Sequence, residues 1–136
     1  MVRGRGGVSE RMVYMKAEIE AIISYQKELG YDYTKMTQSE RMQMFRNYMA
    51  ALTIEQGELA EEVPWKPWRS LDKQKNNYRK QCLEWIDCFF FLADQAIALG
   101  LDPADLQDTF TKKLHVNLNR VRSGYNNKKE DRQNEF

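Results

Sequence analysis

Apolar residues recur at steps of three and four through most of this chain, and no segment alternates with the two-residue period of a β-strand. In the first such segment, Met15, Ile19, Ile22 and Ile23 fall near one another on a helix. A pattern of this kind argues against a sheet-based fold. The sequence therefore predicts an all-α protein, a bundle-like protomer of four to five helices.

Start and stop residues mark most ends of the predicted helices. Thr37 and Glu40 have the spacing of a capping box, and Asp102-Pro103 places an N-cap residue before a proline at the first helical position. Glycines follow three of the helices as stop residues. The predicted helices are approximately Glu10–Leu29, Thr37–Glu62, Asp72–Leu99 and Asp102–Ser123.

The length of 136 residues suits one domain with a buried core. Glycine and arginine dominate the first seven positions, which predicts a disordered tail over residues 1–9. A single domain is expected over residues 10–125, followed by a charged C-terminal tail over residues 126–136.

The charge balance gives no reason to expect a nucleic-acid or membrane partner. Lys and Arg total 21 and Asp and Glu total 20, a net charge of +1. The most apolar run, Trp85–Leu99, is too short to span a membrane. Cys82 and Cys88 lie six residues apart on one predicted helix, a spacing that does not suit a disulfide. We therefore expect a reduced, cytoplasmic protein.

Two pairs of carboxylates are the most informative feature for function. Glu55 and Glu58 are three residues apart on the second predicted helix, and Glu84 and Asp87 have the same spacing on the third. Residues at this spacing share a helix face, so each pair directs two carboxylates into one space. Gly57 lies within the first pair, and a glycine inside a helix predicts a bend or a close approach.

The second pair lies in a run of large apolar residues, where an unpaired negative charge is costly. A solvated acidic face, or ion pairs with Lys or Arg, would be the ordinary explanation. The alternative is a metal site, and ligand sets made of oxygen atoms alone select hard cations such as Mg²⁺ or Mn²⁺. Four carboxylates are more than one Mg²⁺ usually takes, so two or more ions bridging a polyphosphate are expected.

Two further segments carry positive or aromatic side chains. Lys113, Asn117 and Arg120 share a face of the fourth predicted helix, as either an ordinary solvated face or a polyphosphate-binding stripe. The segment from Pro64 to Arg69 contains Trp65, Lys66 and Trp68 between two prolines. It could be a hydrophobic plug at the end of the bundle, or a lid whose ring covers a base while Lys66 or Arg69 meets phosphate.

Taken together, these residues resemble the all-α NTP pyrophosphatases of the MazG-like superfamily, most closely the dimeric dUTPase branch. The acidic pairs match its ExxE and ExxD motifs, and Phe91 matches an aromatic four residues after the Asp. A string with the spacing of Lys113, Asn117, Arg120, Gly124 and Tyr125 is also typical of the branch. Two positions depart from it: Phe90 stands where the family usually has His, and the chain is shorter than the protozoan members.

The resemblance implies roles for individual residues. Its metal-binding and catalytic residues would be Glu55, Glu58, Glu84 and Asp87. Its phosphate-binding residues would be Lys113, Arg120 and Tyr125. The segment from Pro64 to Arg69, which we call the Trp-rich corner, adds Lys66 and Arg69 as candidates. Its nucleoside-binding residues would be Gln26, Trp65, Trp68, Phe91 and Asn117. A homodimer with sites completed across the interface is also implied.

The predicted function is a Mg²⁺-dependent hydrolase that converts a nucleoside triphosphate to the monophosphate and pyrophosphate by attack of a metal-activated water. Glu55 or Glu58 is the candidate base for that water. The resemblance indicates dUTP as substrate. The alternatives are the same reaction on dCTP or a purine deoxynucleotide, and a non-catalytic helical interaction module.

Overall fold

The computed structural model of the chain describes residues 8–124, with side chains described from residue 16. Within that range the chain forms four α-helices, two short 3-10 turns (Tyr33–Lys35 and Leu71–Lys73) and no strand. The prediction of an all-α fold is confirmed. The helices are α1 (Val8–Glu28), α2 (Gln38–Glu61), α3 (Tyr78–Ala98) and α4 (Pro103–Ser123).

The described residues fall into two compact units. The first is Glu18–Gly100, which holds most of α1 together with α2 and α3. The second comprises the described residues up to Ala17 and from Leu101 onward, and therefore contains the start of α1 and all of α4. A single domain over residues 10–125 stays a prediction. The expected C-terminal tail lies outside the described residues, as does the expected N-terminal tail up to residue 7.

The capping residues act as the sequence predicts. At the start of α2, the Glu40 backbone N–H donates to the Thr37 hydroxyl over 3.2 Å, and the Thr37 N–H donates to the Glu40 carboxylate over 2.8 Å. At the start of α4, Asp102 accepts from the Asp105 N–H over 2.8 Å, with Pro103 at the first helical position. These three contacts satisfy backbone groups that a helix end leaves unpaired.

Helix α1 begins at Val8, two residues before the predicted start, so Val8 and Ser9 are helical rather than part of a tail. It ends at Glu28, one residue before the predicted end. Gly30 then adopts a φ of 94°, a left-handed conformation that glycine reaches without a steric penalty. The chain turns there toward the first 3-10 turn.

The predicted start of α3 near Asp72 was wrong, since the helix begins six residues later at Tyr78. Two side chains explain the difference. Gln74 accepts from the Lys66 backbone N–H over 3.0 Å and donates to the Lys66 carbonyl over 2.9 Å, which holds residue 74 against the preceding loop. Asn77 then caps the helix by accepting from the Lys80 N–H over 3.1 Å.

The core of the first unit lies where α2 packs against α3 and the end of α1 adds two isoleucines. Small residues of α3 allow the close packing, and Ala98 has no solvent exposure. The buried apolar side chains are Ile19, Ile22, Tyr33, Tyr48, Cys88, Ala93, Ile97 and Ala98. Cys82 is exposed, and it and Cys88 are free thiols.

The apolar residues around Asp87 continue nearly all round the helix, a pattern that predicts a buried helix with Glu84 and Asp87 in the interior, and this prediction was wrong. Only one face of the helix is covered, and several of its large apolar side chains are exposed, including Leu83, Trp85 and Leu92. Asp87 is exposed and Glu84 is half-buried, so neither is an interior residue of the unit. None of the described helices is long and apolar enough to cross a membrane.

Candidate active site

Three carboxylates from two helices meet in one place. Glu55 and Glu58 project from successive turns of α2, and Glu84 projects from α3, which packs against α2. One oxygen of each carboxylate lies within 4.8 Å of the others. Residue spacing thus joins the pair on α2, while helix packing adds the member on α3. We call these three residues the acidic cluster.

The acidic cluster lacks neutralising partners in the described part of the chain. Glu55 and Glu84 are half-buried, and each has one buried Oε2 atom that receives no hydrogen bond. No ion pair with Lys or Arg is found for Glu55, Glu58, Glu84 or Asp87 among the described residues. Buried carboxylate oxygens without donors are unusual in folded proteins, and water or a bound ion is a common partner for such atoms.

Burial and mutual repulsion both disfavour the ionised state of this cluster. Burial raises the pKa of Glu55 above its ordinary value, and the charges of Glu58, Asp87 and Glu84 raise it further. The pKa of Glu84 is raised by burial and then by Glu58 and Asp87, and the nearby Lys80 offsets only part of this. The site therefore favours a bound proton or a bound cation.

The thiol of Cys88 responds to the same negative potential. Its pKa is raised by burial first, and then by Glu55, Asp87 and Glu84. Asp87 thus acts electrostatically on the cluster although its oxygens are not among those within 4.8 Å of one another.

Glu62, the C-cap residue of α2, has a lysine partner. Glu62 is buried, and one of its carboxylate oxygens accepts from Lys75 Nζ over 2.7 Å. Gln81 of α3 also donates to the Glu62 backbone carbonyl over 2.8 Å. Glu62 therefore ties the end of α2 to the chain that leads into α3. Its Oε2 is buried without a hydrogen bond, as are the Oε2 atoms of Glu55 and Glu84, but Glu62 differs from them in having a lysine partner.

A cleft of about 1040 Å³ opens beside the acidic cluster. Side chains of α1, α2 and α3 form its walls, and Glu55 belongs both to the cleft and to the cluster. Ligand pockets commonly measure roughly 300–1,000 Å³, so the space suits a nucleotide-sized molecule. Among the sequence-predicted site residues, it is lined by Gln26, Glu55, Asp87 and Phe91.

A buried chain of polar side chains forms part of this cleft and was not predicted as a site. Gln26 Nε2 donates to Asp94 Oδ1 over 3.0 Å, and the Tyr48 hydroxyl donates to Gln26 Oε1 over 3.3 Å. The Tyr33 hydroxyl donates to the Tyr48 hydroxyl over 3.0 Å. The available signal was the spacing of Asp87, Phe91 and Asp94, which places all three on one face of α3.

Burial dominates the chemistry of Asp94. The residue is only 2% exposed. Burial raises the pKa of its carboxyl from 3.8 to about 6, and the hydrogen bond from Gln26 offsets part of this rise. Asp94 is therefore mostly ionised at neutral pH and takes up a proton as the pH falls through about 6.

The Trp-rich corner does not line the cleft of the first unit. Trp65 is 55% exposed and Trp68 is 71% exposed, so the corner is not a hydrophobic plug within this unit. The two rings pack edge to face with centroids 5.5 Å apart, and Lys66 Nζ lies 5.9 Å from the Trp65 ring. Gln74 Nε2 donates to the Arg69 carbonyl over 2.7 Å and holds the corner in shape.

The predicted basic stripe lies in the second unit. Lys113, Asn117 and Arg120 are all on α4, and Tyr125 lies outside the described residues. The structure therefore brings together the acidic residues, Gln26 and Phe91, while the phosphate-binding roles of the stripe stay predictions.

The all-helical fold, with ExxE and ExxD pairs on two packed helices, is that of the all-α NTP pyrophosphatase class. A sequence model of a dUTPase family matches residues 11–102, which include Gln26, both acidic pairs and Phe91 but not α4. The chain belongs to this family, the all-α, MazG-like dUTPases. No curated protein and no solved structure matches the chain. At the family level the chain is a dUTPase-like nucleotide pyrophosphatase, and the family generally uses a divalent metal.

Proposed function

We propose that this protein hydrolyses dUTP to dUMP and pyrophosphate in a Mg²⁺-dependent reaction. The observation that carries the proposal is the acidic cluster, whose buried oxygens on Glu55 and Glu84 lack donors and face a repulsive set of like charges. A cluster in this state is suited to a hard cation, and it adjoins a cleft of nucleotide size.

The donor set fits magnesium. Glu55, Glu58 and Glu84 each offer one oxygen within a shared space, and Asp87 extends the acidic surface into the cleft. Mg²⁺ held by these residues would supply a water of lowered pKa and would neutralise phosphate charge. More than one ion is expected because the residues offer more carboxylates than one Mg²⁺ takes when it also binds phosphate. Mn²⁺ has the same ligand preference and is the natural substitute.

The carboxylates also provide the base for the reaction. Glu58 is exposed and Glu55 is half-buried at the junction of cluster and cleft, so either can accept the proton of the attacking water. The water oxygen forms a bond to phosphorus, the bond between the α- and β-phosphates breaks, and pyrophosphate leaves with the released electron pair.

Several side chains complete the proposed substrate site. Phe91 and Asp87 line the cleft one helical turn apart, which suits contact with a 2′-deoxyribose, and Gln26 lines it from α1. Lys113, Arg120 and Tyr125 are proposed to bind phosphate, with Lys66 and Arg69 as further candidates. Trp65, Trp68 and Asn117 are proposed to cover the nucleoside.

A homodimer is part of the proposal. Trp85 and Leu92 are exposed and lie on one face of α3, an apolar face that a monomer leaves in water. Burying such a face against a second copy is favourable. Light scattering of the purified chain should give twice the mass of the protomer, and a monomer would contradict this part.

The function is tested by measuring pyrophosphate release from a panel of dNTPs and NTPs with and without Mg²⁺. We expect dUTP to be the best substrate and the rate to depend on the metal. Glu58→Gln and Asp87→Asn should each lose about 100-fold or more, since even partners of metal ligands cost 10–100-fold. Glu61→Gln is the matched control, because Glu61 is exposed on α2 beyond the cluster.

The same assay separates the alternatives. Preferred turnover of dCTP or a purine deoxynucleotide would retain the chemistry and reject uracil as the base. Unchanged turnover in Glu58→Gln and Asp87→Asn would reject the metal site. No turnover of any nucleotide, together with no binding of Mg²⁺ plus nucleotide, would favour a helical interaction module.

A further inference from the structure

A directed chain of hydrogen bonds ends on Asp94. Tyr33 donates to Tyr48, Tyr48 donates to the oxygen of Gln26, and the nitrogen of Gln26 donates to Asp94. Gln26 is 4% exposed and Asp94 is 2% exposed, so water does not compete freely for these contacts. Four elements contribute to the chain of hydrogen bonds: α1, the first 3-10 turn, α2 and α3.

The ionised carboxylate determines the direction of this chain. A carboxylate only accepts hydrogen bonds, so the Gln26 amide must present its nitrogen to Asp94 and its oxygen to Tyr48. Rotating the amide by half a turn would place its oxygen against the carboxylate and leave two buried acceptors facing each other. Burial raises the pKa of both tyrosines above 10.0, so their hydroxyls remain donors.

Gln26 keeps hydrogen-bonding capacity for a ligand. Of its two amide hydrogens one is used by Asp94, and of its two oxygen lone pairs one is used by Tyr48. One donor and one acceptor remain on a side chain that lines the cleft. Because the amide cannot turn over, that donor and that acceptor stay in a fixed order.

We propose that Asp94 is a positioning residue that fixes the orientation of the Gln26 amide and thereby determines which pyrimidine the cleft accepts. This inference rests on the proposed function, in which Gln26 contacts the base. Uracil carries an acceptor at position 4 and a donor at position 3, whereas cytosine carries a donor at position 4 and an acceptor at position 3. An amide held in one orientation complements uracil, and the same amide turned over complements cytosine.

The charge of Asp94 therefore controls how strongly the cleft distinguishes uracil from cytosine. A protonated carboxyl both donates and accepts, so it tolerates either orientation of the Gln26 amide. Because the pKa of Asp94 is raised to about 6, discrimination should be strong above that pH and weaken below it. The side chains that face Asp94 are Gln26 and the two tyrosines of the hydrogen-bond chain, and the carboxylates of Glu18, Glu55 and Asp87 line the same cleft.

The test compares dUTP with dCTP in the Mg²⁺-loaded protein and reads the ratio of their kcat/KM values. Both substrates share the triphosphate and the metal, so titration of the acidic cluster cancels in the ratio. Asp94→Asn keeps the shape but lets either end of its own amide face Gln26, and the ratio should fall about tenfold or more. Asp72→Asn, at an exposed position of the second 3-10 turn, should leave it unchanged.

Two further measurements test the role of the Asp94 charge. The wild-type ratio is measured at about pH 8 and about pH 5, on either side of the pKa of Asp94, and should fall at the lower pH; this arm needs no variant to fold. The Asp94→Asn ratio should not change between these two pH values. Tyr48→Phe removes a contact but leaves the carboxylate in place, and should keep most of the discrimination.

Binding of the non-hydrolysable imido analogues of dUTP and dCTP separates this inference from the proposed function. Preferential binding of the dUTP analogue that is lost in Asp94→Asn supports the inference even if turnover is absent. Turnover of dUTP with the same base preference in Asp94→Asn and wild type overturns the inference and leaves the function standing. Equal binding of both analogues by wild type also overturns it, because no discrimination would then exist for Asp94 to set.

Discussion

Replacing Asp94 by asparagine should make the protein more stable at neutral pH. Asp94 is 2% exposed, and burial raises its pKa from 3.8 to about 6. In the pH range between those values the folded state binds a proton more readily than the unfolded state, so folding stability falls as pH rises through it. Preferential proton binding by Asp94 in the folded state therefore stabilises the protein fully below pH 3.8, and this stabilisation is lost as the pH rises above about 6.

The size of this effect follows from the shift in pKa. Each unit corresponds to about 1.4 kcal/mol, so ionised Asp94 reduces the free energy of unfolding by about 2–3 kcal/mol at neutral pH. Asparagine has nearly the same shape and takes up no proton, so the variant avoids this cost. Its urea midpoint at neutral pH should be higher by about 1 M, given the usual dependence of stability on urea.

Urea unfolding from about pH 4 to about pH 8, without divalent ions, measures the difference directly. The gap between Asp94→Asn and wild type should be small at the acidic end and widen through pH 6. Glu55 and Glu84 also have raised pKa values, but both proteins share them, so the difference isolates Asp94. A gap that does not change with pH, or a less stable variant at pH 8, would refute this account of Asp94.

Three other predictions concern the cluster and α2. In the presence of Mg²⁺, nucleotide at one hundred times its dissociation constant should raise the free energy of unfolding by about 2.7 kcal/mol, which is measured as a higher Tm. The double variant Glu55→Gln with Glu84→Gln should abolish this rise. Thr37→Ala removes the capping box of α2 and should cost about 1 kcal/mol in urea unfolding. Gly57→Ala should stabilise the metal-free chain by about 1 kcal/mol, because a Cβ there meets nothing within 4 Å, and a loss of stability would reveal a close partner.

Local features of this fold were predictable from sequence because each depends on residues only a few positions apart. The Thr37 capping box and the Asp102-Pro103 start appear as predicted, and both acidic pairs lie on α2 and α3. The start of α3 depends on a different kind of contact. Gln74 reaches back eight residues to Lys66, and these hydrogen bonds keep residue 74 in the loop. The helix propensity of the residues after Asp72 gives no sign of this contact.

At Gly57 the described part of the fold supplies no protein neighbour for the close approach that the sequence allows. A glycine inside α2 predicts a bend or a close approach, but within the described chain no side-chain or backbone atom lies near its would-be Cβ. The exposed apolar residues on α3 are a related case, since Trp85 and Leu92 satisfy the pattern of a buried helix while one unit of three helices covers only one of its faces. Sequence periodicity identifies apolar faces, but it does not say what covers them.

The two halves of the proposed site differ in the same way, and this has a functional consequence. The acidic cluster is built from residues three apart, so its chemistry is visible in the motif, and changes there should alter the rate for every substrate. The Gln26–Asp94 contact joins residues 68 positions apart and exists only once α1 meets α3. Relatives that share both acidic pairs can therefore differ in the group behind the glutamine, and base preference should follow that buried partner rather than the metal ligands.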